Sequence, residues 1–267
     1  MEITNKKKIA LITGASSGIG KAFAELLSSE DYDLVLVARN ADELNRIVGM
    51  EMTKNQTMVI PIRLDLTESD AVDRLMTELS VRKISPDIVI NNAGVGLVGE
   101  VSKLPVDSQL GMIDLNVRAL SEVTMRFLPE MLARNSGGII NVSSVAAFLP
   151  GPYMSVYYAS KAFVQSFSDS LAEELKGTKV RVMTVCPGPV DTAFQATAGL
   201  DTERWIHKLS MAKSPEKVAE AGWAGFKAGN WETFPGLSDL LAAWIGKFMP
   251  KLILRPIIEL FQKPKEH

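Results

Sequence analysis

Ile9-Ala10-Leu11-Ile12 runs straight into Thr13-Gly14-Ala15-Ser16-Ser17-Gly18-Ile19-Gly20, and the helix-forming stretch Lys21-Ala22-Phe23-Ala24-Glu25-Leu26-Leu27 follows. An apolar strand that ends in glycines and reopens as a helix builds a loop whose backbone can lie against a phosphate, with the helix N-terminus facing the anion. Gly14 and Gly18 let the chain turn and approach closely, and Gly20 lets the new helix pack against the strand, because none carries a Cβ. The ligand suited to such a loop is a dinucleotide. A P-loop fits poorly: five residues separate Gly14 from Gly20, and Ala22 follows Lys21, so no hydroxyl is available for a magnesium ion. The spacing also departs from Gly-x-Gly-x-x-Gly, so the loop alone leaves open a glycine-rich turn without a ligand.

The rest of the chain alternates continuous β-rich runs with segments of helical periodicity, the pattern of a parallel sheet covered on both faces. Strands are predicted near 8–13, 33–38, 58–63, 87–91, 138–142, 179–185 and 232–235. Helices are predicted near 19–29, 41–53, 68–80, 105–134, 157–175 and 214–228, with Asp42 and Ser214-Pro215 as helix starts. The expected fold is a doubly wound, Rossmann-like α/β domain with a mainly seven-stranded parallel sheet. No repeat, low-complexity tract or linker divides it.

Composition narrows the function. The 267 residues carry a net charge of -2 and show no basic face interleaved with aromatics, which disfavours nucleic acid. Cys186 is the only cysteine, so no internal disulfide can form, and His207 and His267 stand too far apart in sequence for metal-ligand spacing. No metal is expected. Lys6-Lys7-Lys8 precedes an apolar run of only four residues, and no run approaches the roughly 18 needed to span a bilayer. A cytoplasmic protein is expected, neither secreted nor membrane-spanning.

Ligands in a doubly wound sheet sit beyond the carboxyl ends of the strands. After the second strand comes Arg39, where an NAD-preferring protein usually carries an acid; arginine there points to the 2′-phosphate of NADP, against the plainer reading of a solvated side chain at a helix start. After the third come Asp65-Leu66, and Asp65 either accepts from an adenine amine or caps the next helix. After the fourth, Asn91-Asn92-Ala93-Gly94 suits a wall that fixes neighbouring backbone and leaves room for a flat ligand, although a plain turn reads the same.

The fifth strand ends in Ser143-Ser144, and Tyr157 and Lys161 follow four residues apart, on one helical face. A phenol titrates near about 10, and an ammonium one turn away lowers it. Such a tyrosine can exchange a proton with a substrate oxygen while hydride passes at carbon, with a serine hydroxyl holding that oxygen. Spacing alone leaves Tyr158 as a rival to Tyr157 and Ser143 as a rival to Ser144.

With these motifs in order the chain, over roughly residues 7–230, resembles the short-chain dehydrogenase/reductase family. The resemblance rests on Thr13 to Gly20, Asn91-Asn92-Ala93-Gly94, Leu115-Asn116-Val117, Ser144, Tyr157-Tyr158-Ala159-Ser160-Lys161 and Pro187-Gly188-Pro189-Val190-Asp191-Thr192. It implies Asn116, Ser144, Tyr157 and Lys161 as the catalytic set, with Asn116 bending its helix and holding a water for proton relay. It implies a nucleotide held by Gly14, Ser16, Ser17, Gly18, Ile19, Gly20, Arg39, Asp65, Leu66, Asn92, Ala93, Gly94, Tyr157, Lys161, Pro187, Gly188, Val190 and Thr192. Lys161 would also hold the nicotinamide ribose, Pro187-Gly188 would line the nicotinamide, and Val190 and Thr192 would meet its carboxamide and phosphates. A homodimer or homotetramer formed through helices 105–134 and 157–175 is implied as well.

The expected activity is an NADP(H)-dependent oxidoreductase, with NAD(H) as the alternative cofactor, that interconverts a carbonyl and a secondary alcohol. The rival reading is a protein of the same fold that binds NADP without turnover; the intact Asn116, Ser144, Tyr157 and Lys161 argue against it. Phe148, Leu149 and Tyr153, together with Phe194, Leu200, Trp205, Ile206, Leu209 and Met211 in a substrate segment at about 193–213, suggest a lipophilic or acyl substrate. Residues 1–236 are read as the dinucleotide-binding catalytic part and 237–267 as an amphipathic extension of the same domain. That extension exceeds what the family's bacterial carrier-protein reductases carry, and Pro250 and Pro256 are expected to break it into short helices. Packing on the core or a subunit is the favoured use, pocket capping the second and contact with a membrane surface the last.

Overall fold

Seven apolar runs form strands: β1 (Ile9–Thr13), β2 (Asp33–Ala38), β3 (Val59–Arg63), β4 (Ile88–Asn91), β5 (Gly137–Val142), β6 (Val180–Val185) and the short β7 (Glu232–Thr233). The computed structural model of the chain describes residues 7–55, 57–194, 198–199 and 212–263. The strands pair in parallel in the order β3-β2-β1-β4-β5-β6-β7. Every predicted strand is present, with ends shifted by two residues at most. Ile9 to Thr13 are all buried because both faces of β1 are covered, which is why the run reads as continuously apolar.

Side chains alternate between the faces. Ala10, Ile12, Leu34 and Leu36 meet α1 (Gly18–Ser29), α2 (Ala41–Asn55) and α7 (Pro215–Ala228) through Phe23, Leu27, Leu44, Ile47, Trp223 and Phe226. Leu11, Val35, Val37 and Val89 meet α3 (Ala71–Arg82), α5 (Leu120–Ala133) and α6 (Ser155–Glu174) through Leu75, Leu79, Val123, Phe127 and Leu171. The strand order reverses between β1 and β4, so the crevice beyond their carboxyl ends is the natural ligand site of this sheet.

Three helix readings need correction. The predicted helix 105–134 is α4 (Val106–Ile113), a π-helical segment at Asp114–Ala119 and α5. Helix α2 starts at Ala41 rather than at Asp42, because the Asn40 side chain accepts the Glu43 amide at 3.1 Å and so caps the first turn. Pro250 does separate α8 (Leu237–Phe248) from α9 (Lys251–Gln262), but Pro256 lies inside α9 without ending it. One proline deletes a single main-chain bond, and the helix on either side closes its own. Ser214-Pro215 starts α7 as read, the Ser214 hydroxyl accepting from the Lys217 amide.

Helices α8 and α9 pack on the chain itself, against the turn after β5 and the first turn of α6. A Cβ on Gly246 would lie 2.3 Å from the Phe148 carbonyl, so α8 rests directly on the 3₁₀ turn Val145–Phe148. Lys247 stands 4.6 Å over the Phe148 ring, and Gln262 hydrogen-bonds the Tyr158 hydroxyl. Among the described residues no helix is long and apolar enough to cross a membrane.

Candidate active site

The glycine loop is held from beneath by the end of β4. Thr13 Oγ1 donates to the Ile90 carbonyl and accepts the Asn92 and Ala93 amides at 3.0 and 3.1 Å. Asn92 Nδ2 returns two bonds, to the carbonyls of Thr13 (3.0 Å) and Gly14 (3.1 Å). Gly14 has φ +64°, and a Cβ on it would meet Ala93 Cα at 2.8 Å. Gly18, at φ +52°, leaves 3.0 Å to the Thr192 methyl group. Ser17, the N-cap of α1, makes no capping bond, and the first turn carries no acid. The start of α1, beside Ser16 and Ile19, therefore has neither a side-chain cap nor a first-turn acid to offset its positive end.

Along the sheet to β2 and β3, Arg39 is 65% exposed with its guanidinium 3.8 Å from Asp65. Asp65 Oδ1 accepts the amide and hydroxyl of Thr67 at 3.0 and 2.8 Å. Burial raises the Asp65 carboxyl, but the two Thr67 bonds and Arg39 outweigh it, and the net shift is downward. Helix α3 begins only at Ala71, behind Asp70, so Asp65 organises its own turn and does not cap the helix. Leu66, beside it, is buried.

Asn91 and Asn92 part company. Asn92 fixes the glycine loop; Asn91 is buried beneath the sheet, donating to Thr124 Oγ1 (3.0 Å) and Asn141 Oδ1 (2.9 Å), and Asn141 donates to Ser168 (2.8 Å). Gly94 has a close neighbour on the far side, Asn116 Oδ1, 3.2 Å from where its Cβ would stand. Asn116 sits in the π segment and clamps Val95: Oδ1 accepts the Val95 amide and Nδ2 donates to its carbonyl, both at 2.9 Å. Nδ2 also reaches Ser160 Oγ at 3.1 Å, and Ser160 donates to the Tyr157 carbonyl at 2.7 Å. Ser160 thus joins Asn116 to the helix bearing Tyr157. Its position inside Tyr-x-x-Ser-Lys was its only trace in the sequence.

At the end of β5 the two serines separate. Ser143 Oγ donates to the Lys161 carbonyl, whereas Ser144 Oγ accepts the Ala146 amide at 3.1 Å and donates to the Pro187 carbonyl at 3.2 Å. The two tyrosines separate too, because the Tyr158 hydroxyl is taken by Gln262. Burial pushes the Tyr157 phenol up to about 12, against a smaller downward pull from Ser144. The expected lowering by Lys161 is therefore overturned for the chain by itself. Lys161 Nζ donates to the Val142 carbonyl at 2.8 Å and stands 5.9 Å from the Tyr157 ring centroid, while its own burial lowers the ammonium to about 8.

Beyond β6, Cys186 is a buried thiol pushed up to about 12 by desolvation, with Pro187 and Gly188 next in the chain. Val190 bridges to Lys213, and Thr192 faces Gly18 across the loop. Phe194, in the stretch read as a substrate segment, has its ring 5.4 Å from that of Tyr157. Leu200, Trp205, Ile206, Leu209, Met211 and His207 lie outside the described residues, as does His267. Phe148 and Leu149, read as pocket wall, pack against α8. Among the described residues no group of three or more metal-ligating side chains occurs.

The strand ends thus collect an uncapped helix start, an arginine at the β2 end and a neighbouring tyrosine and serine with a buried lysine one turn away. The close approach of Gly14 to Asn92 and Ala93, which leaves no room for a Cβ, and the uncapped start of α1 fit the phosphates of a dinucleotide.

Residues 8–203 match the family model described as short chain dehydrogenase. An uncharacterized oxidoreductase of Staphylococcus aureus (strain MRSA252) is 37% identical over 214 residues, which cover 80% of this chain and 88% of that protein. The solved short-chain dehydrogenase from Sphingobium yanoikuyae in complex with NADPH is 29% identical with a TM-score of 0.80, and the match covers 97% of both chains. A short chain dehydrogenase/reductase from Burkholderia phymatum in complex with NAD is 26% identical with a TM-score of 0.81, covering 98% of this chain and 97% of that one. At such coverage the structural likeness takes in the C-terminal helices.

Proposed function

This chain belongs to the short-chain dehydrogenase family, and we propose that it is an NADP(H)-dependent oxidoreductase that interconverts a carbonyl and a secondary alcohol on an apolar or acyl framework. The observation that carries the reading is the Tyr157 phenol beside Ser144, whose hydroxyl pulls its titration downward, with the buried Lys161 one turn further along α6. When bound, the nicotinamide supplies the hydride and, oxidised, a positive charge.

The chain's own residues do the rest. Gly14, Ser16, Ser17, Gly18, Ile19 and Gly20 hold the pyrophosphate at the start of α1, Arg39 takes the 2′-phosphate, and Asp65 and Leu66 border the adenine. Asn92, Ala93 and Gly94 form the wall beneath, while Pro187, Gly188, Val190 and Thr192 line the nicotinamide end. Tyr157 gives its proton to the carbonyl oxygen, Ser144 orients that oxygen, and Lys161 holds the ribose. The Asn116 side chain is committed to Val95 and Ser160, so a relay from Asn116 runs through its main chain, which the π turn loosens. Phe194 beside Tyr157 supports an apolar substrate. The exposed Val106, Leu110, Ile113, Met125, Leu132 and Phe163 on α4 to α6 support a homodimer or homotetramer through that face.

The test follows NADPH absorbance with ketones, quinones, steroids and acyl thioesters. Turnover of at least one carbonyl is expected; nucleotide binding with no turnover across the panel would leave the rival reading, a non-catalytic NADP-binding protein. Cofactor choice has its own experiment. In Arg39→Asp the exposed cation that meets a 2′-phosphate becomes an acceptor for ribose hydroxyls. The ratio of kcat/KM for NADPH over NADH is expected to fall by roughly 10- to 100-fold, the scale of one charge-assisted contact. An unchanged ratio removes Arg39 from the account.

A further inference from the structure

Lys213 is a junction between three parts of the chain. Its backbone pairs with the loop after β6: the Asp191 amide donates to the Lys213 carbonyl at 2.9 Å, and the Lys213 amide donates to the Pro189 carbonyl at 3.1 Å. Its side chain leaves that loop and crosses to α8, where Nζ lies 2.8 Å from Asp239 Oδ1 and donates to Ser238 Oγ at 3.1 Å. On the way its stem lies so close to Gly236 that a Cβ there would stand 2.5 Å from Lys213 Cε.

Asp239 is built into this junction from the other side. It stands in the first turn of α8, where the helix dipole favours an anion, and it is 3% exposed. Its second oxygen, Oδ2, is buried and has no hydrogen-bond partner among the described residues, so Lys213 is the cation that compensates the charge. The carboxylate also touches the loop directly: a Cβ on Gly188 would lie 2.5 Å from Asp239 Oδ1. A buried ion pair is poor evidence of stability as such, but removing one partner leaves the other charge uncompensated, so the two act as a unit.

We propose that Lys213 and Asp239 form a latch that makes the C-terminal helices part of the nucleotide site, by holding the Gly188–Asp191 loop in the shape the nucleotide requires. This rests on the reading above, which assigns that loop to the nicotinamide. Lys213 and Asp239 are positioning residues; neither needs to touch the ligand.

Two measurements, both taken well below the melting temperature, test the latch. NADPH affinity, followed by quenching of protein fluorescence, is expected to weaken about tenfold in Lys213→Met and in Asp239→Asn, the scale set by slight misplacement of a binding loop. Lys213→Arg, which keeps charge and reach, is expected to restore it. The double variant is expected to bind no worse than either single one, and additive losses would mean the two residues act separately and overturn the latch. Hydrogen exchange at the Asp191 and Lys213 amides, compared with β5 amides in the same samples, is expected to speed up in both single variants even without nucleotide. Variants that melt earlier yet keep local exchange and affinity unchanged would reduce the pair to a structural contact. If the parent chain binds no NADPH, the functional reading fails, and the exchange measurement still decides whether the latch holds the loop.

Discussion

Carbonyl reduction by a Tyr157→Phe variant is expected to fall by roughly two to four orders of magnitude, the usual contribution of a positioned general acid. The substitution removes one oxygen and keeps the ring that packs 5.4 Å from Phe194, so the melting temperature is expected to stay close to that of the parent. The pH profile sharpens the test. Desolvation pushes the phenol up to about 12, so Tyr157 stays protonated through the neutral range and reduction does not follow its titration there. Alcohol oxidation needs the phenolate, whose population grows about tenfold per pH unit below the pKa, so log kcat/KM for oxidation is expected to rise with a slope near one. Tyr157→Phe should erase the rise. Unchanged reduction in the variant, or an oxidation rate that ignores pH, would take the proton-transfer role away from Tyr157.

The fold was legible because the strands are buried on both faces: runs such as Leu34 to Ala38 carry no polar residue to blur them, and every strand appeared within two residues of its expected ends. What local pattern could not carry was anything decided by a distant partner. The π segment at Asp114–Ala119 reads as ordinary helix from spacing, since its register depends on Asn116 reaching back to Val95. Lys161 shares a helical face with Tyr157, as its spacing says, but its ammonium is drawn to the Val142 carbonyl of a strand 19 residues earlier. Desolvation of the phenol is likewise a property of the assembled site. The choice between Ser143 and Ser144, open from spacing, follows in the structure from where each hydroxyl bonds, and Tyr158 is set apart from Tyr157 by Gln262, 104 residues away in sequence.

In Gly20→Val the chain is expected to lose NADPH binding and to melt earlier, although helix propensity alone predicts the opposite. Gly20 lies in the first turn of α1, and replacing a helical glycine with a residue that bears a Cβ ordinarily gains up to about 1 kcal/mol. Here the added Cβ would stand 2.3 Å from the Gly14 carbonyl oxygen and 2.4 Å from Asn92 Nδ2. Neither can step aside cheaply. The first is main chain at φ +64°, and the second holds the carbonyls of Thr13 and Gly14 against the end of β4. Overpacking of this kind costs about 1–3 kcal/mol, which outweighs the propensity gain and for a chain of this size lowers the melting temperature by roughly 2–12 °C. Binding suffers more than stability, because the displaced atoms are the cradle itself. Gly49 on α2 is the internal control: among the described residues nothing lies within 4 Å of its missing Cβ, so Gly49→Ala is expected to leave NADPH affinity unchanged and to raise the melting temperature slightly. Matching effects at the two positions would mean that helix propensity, and not the close approach of α1 to the loop, decides what residue 20 can be. Normal NADPH affinity in Gly20→Val would remove the loop from the nucleotide site.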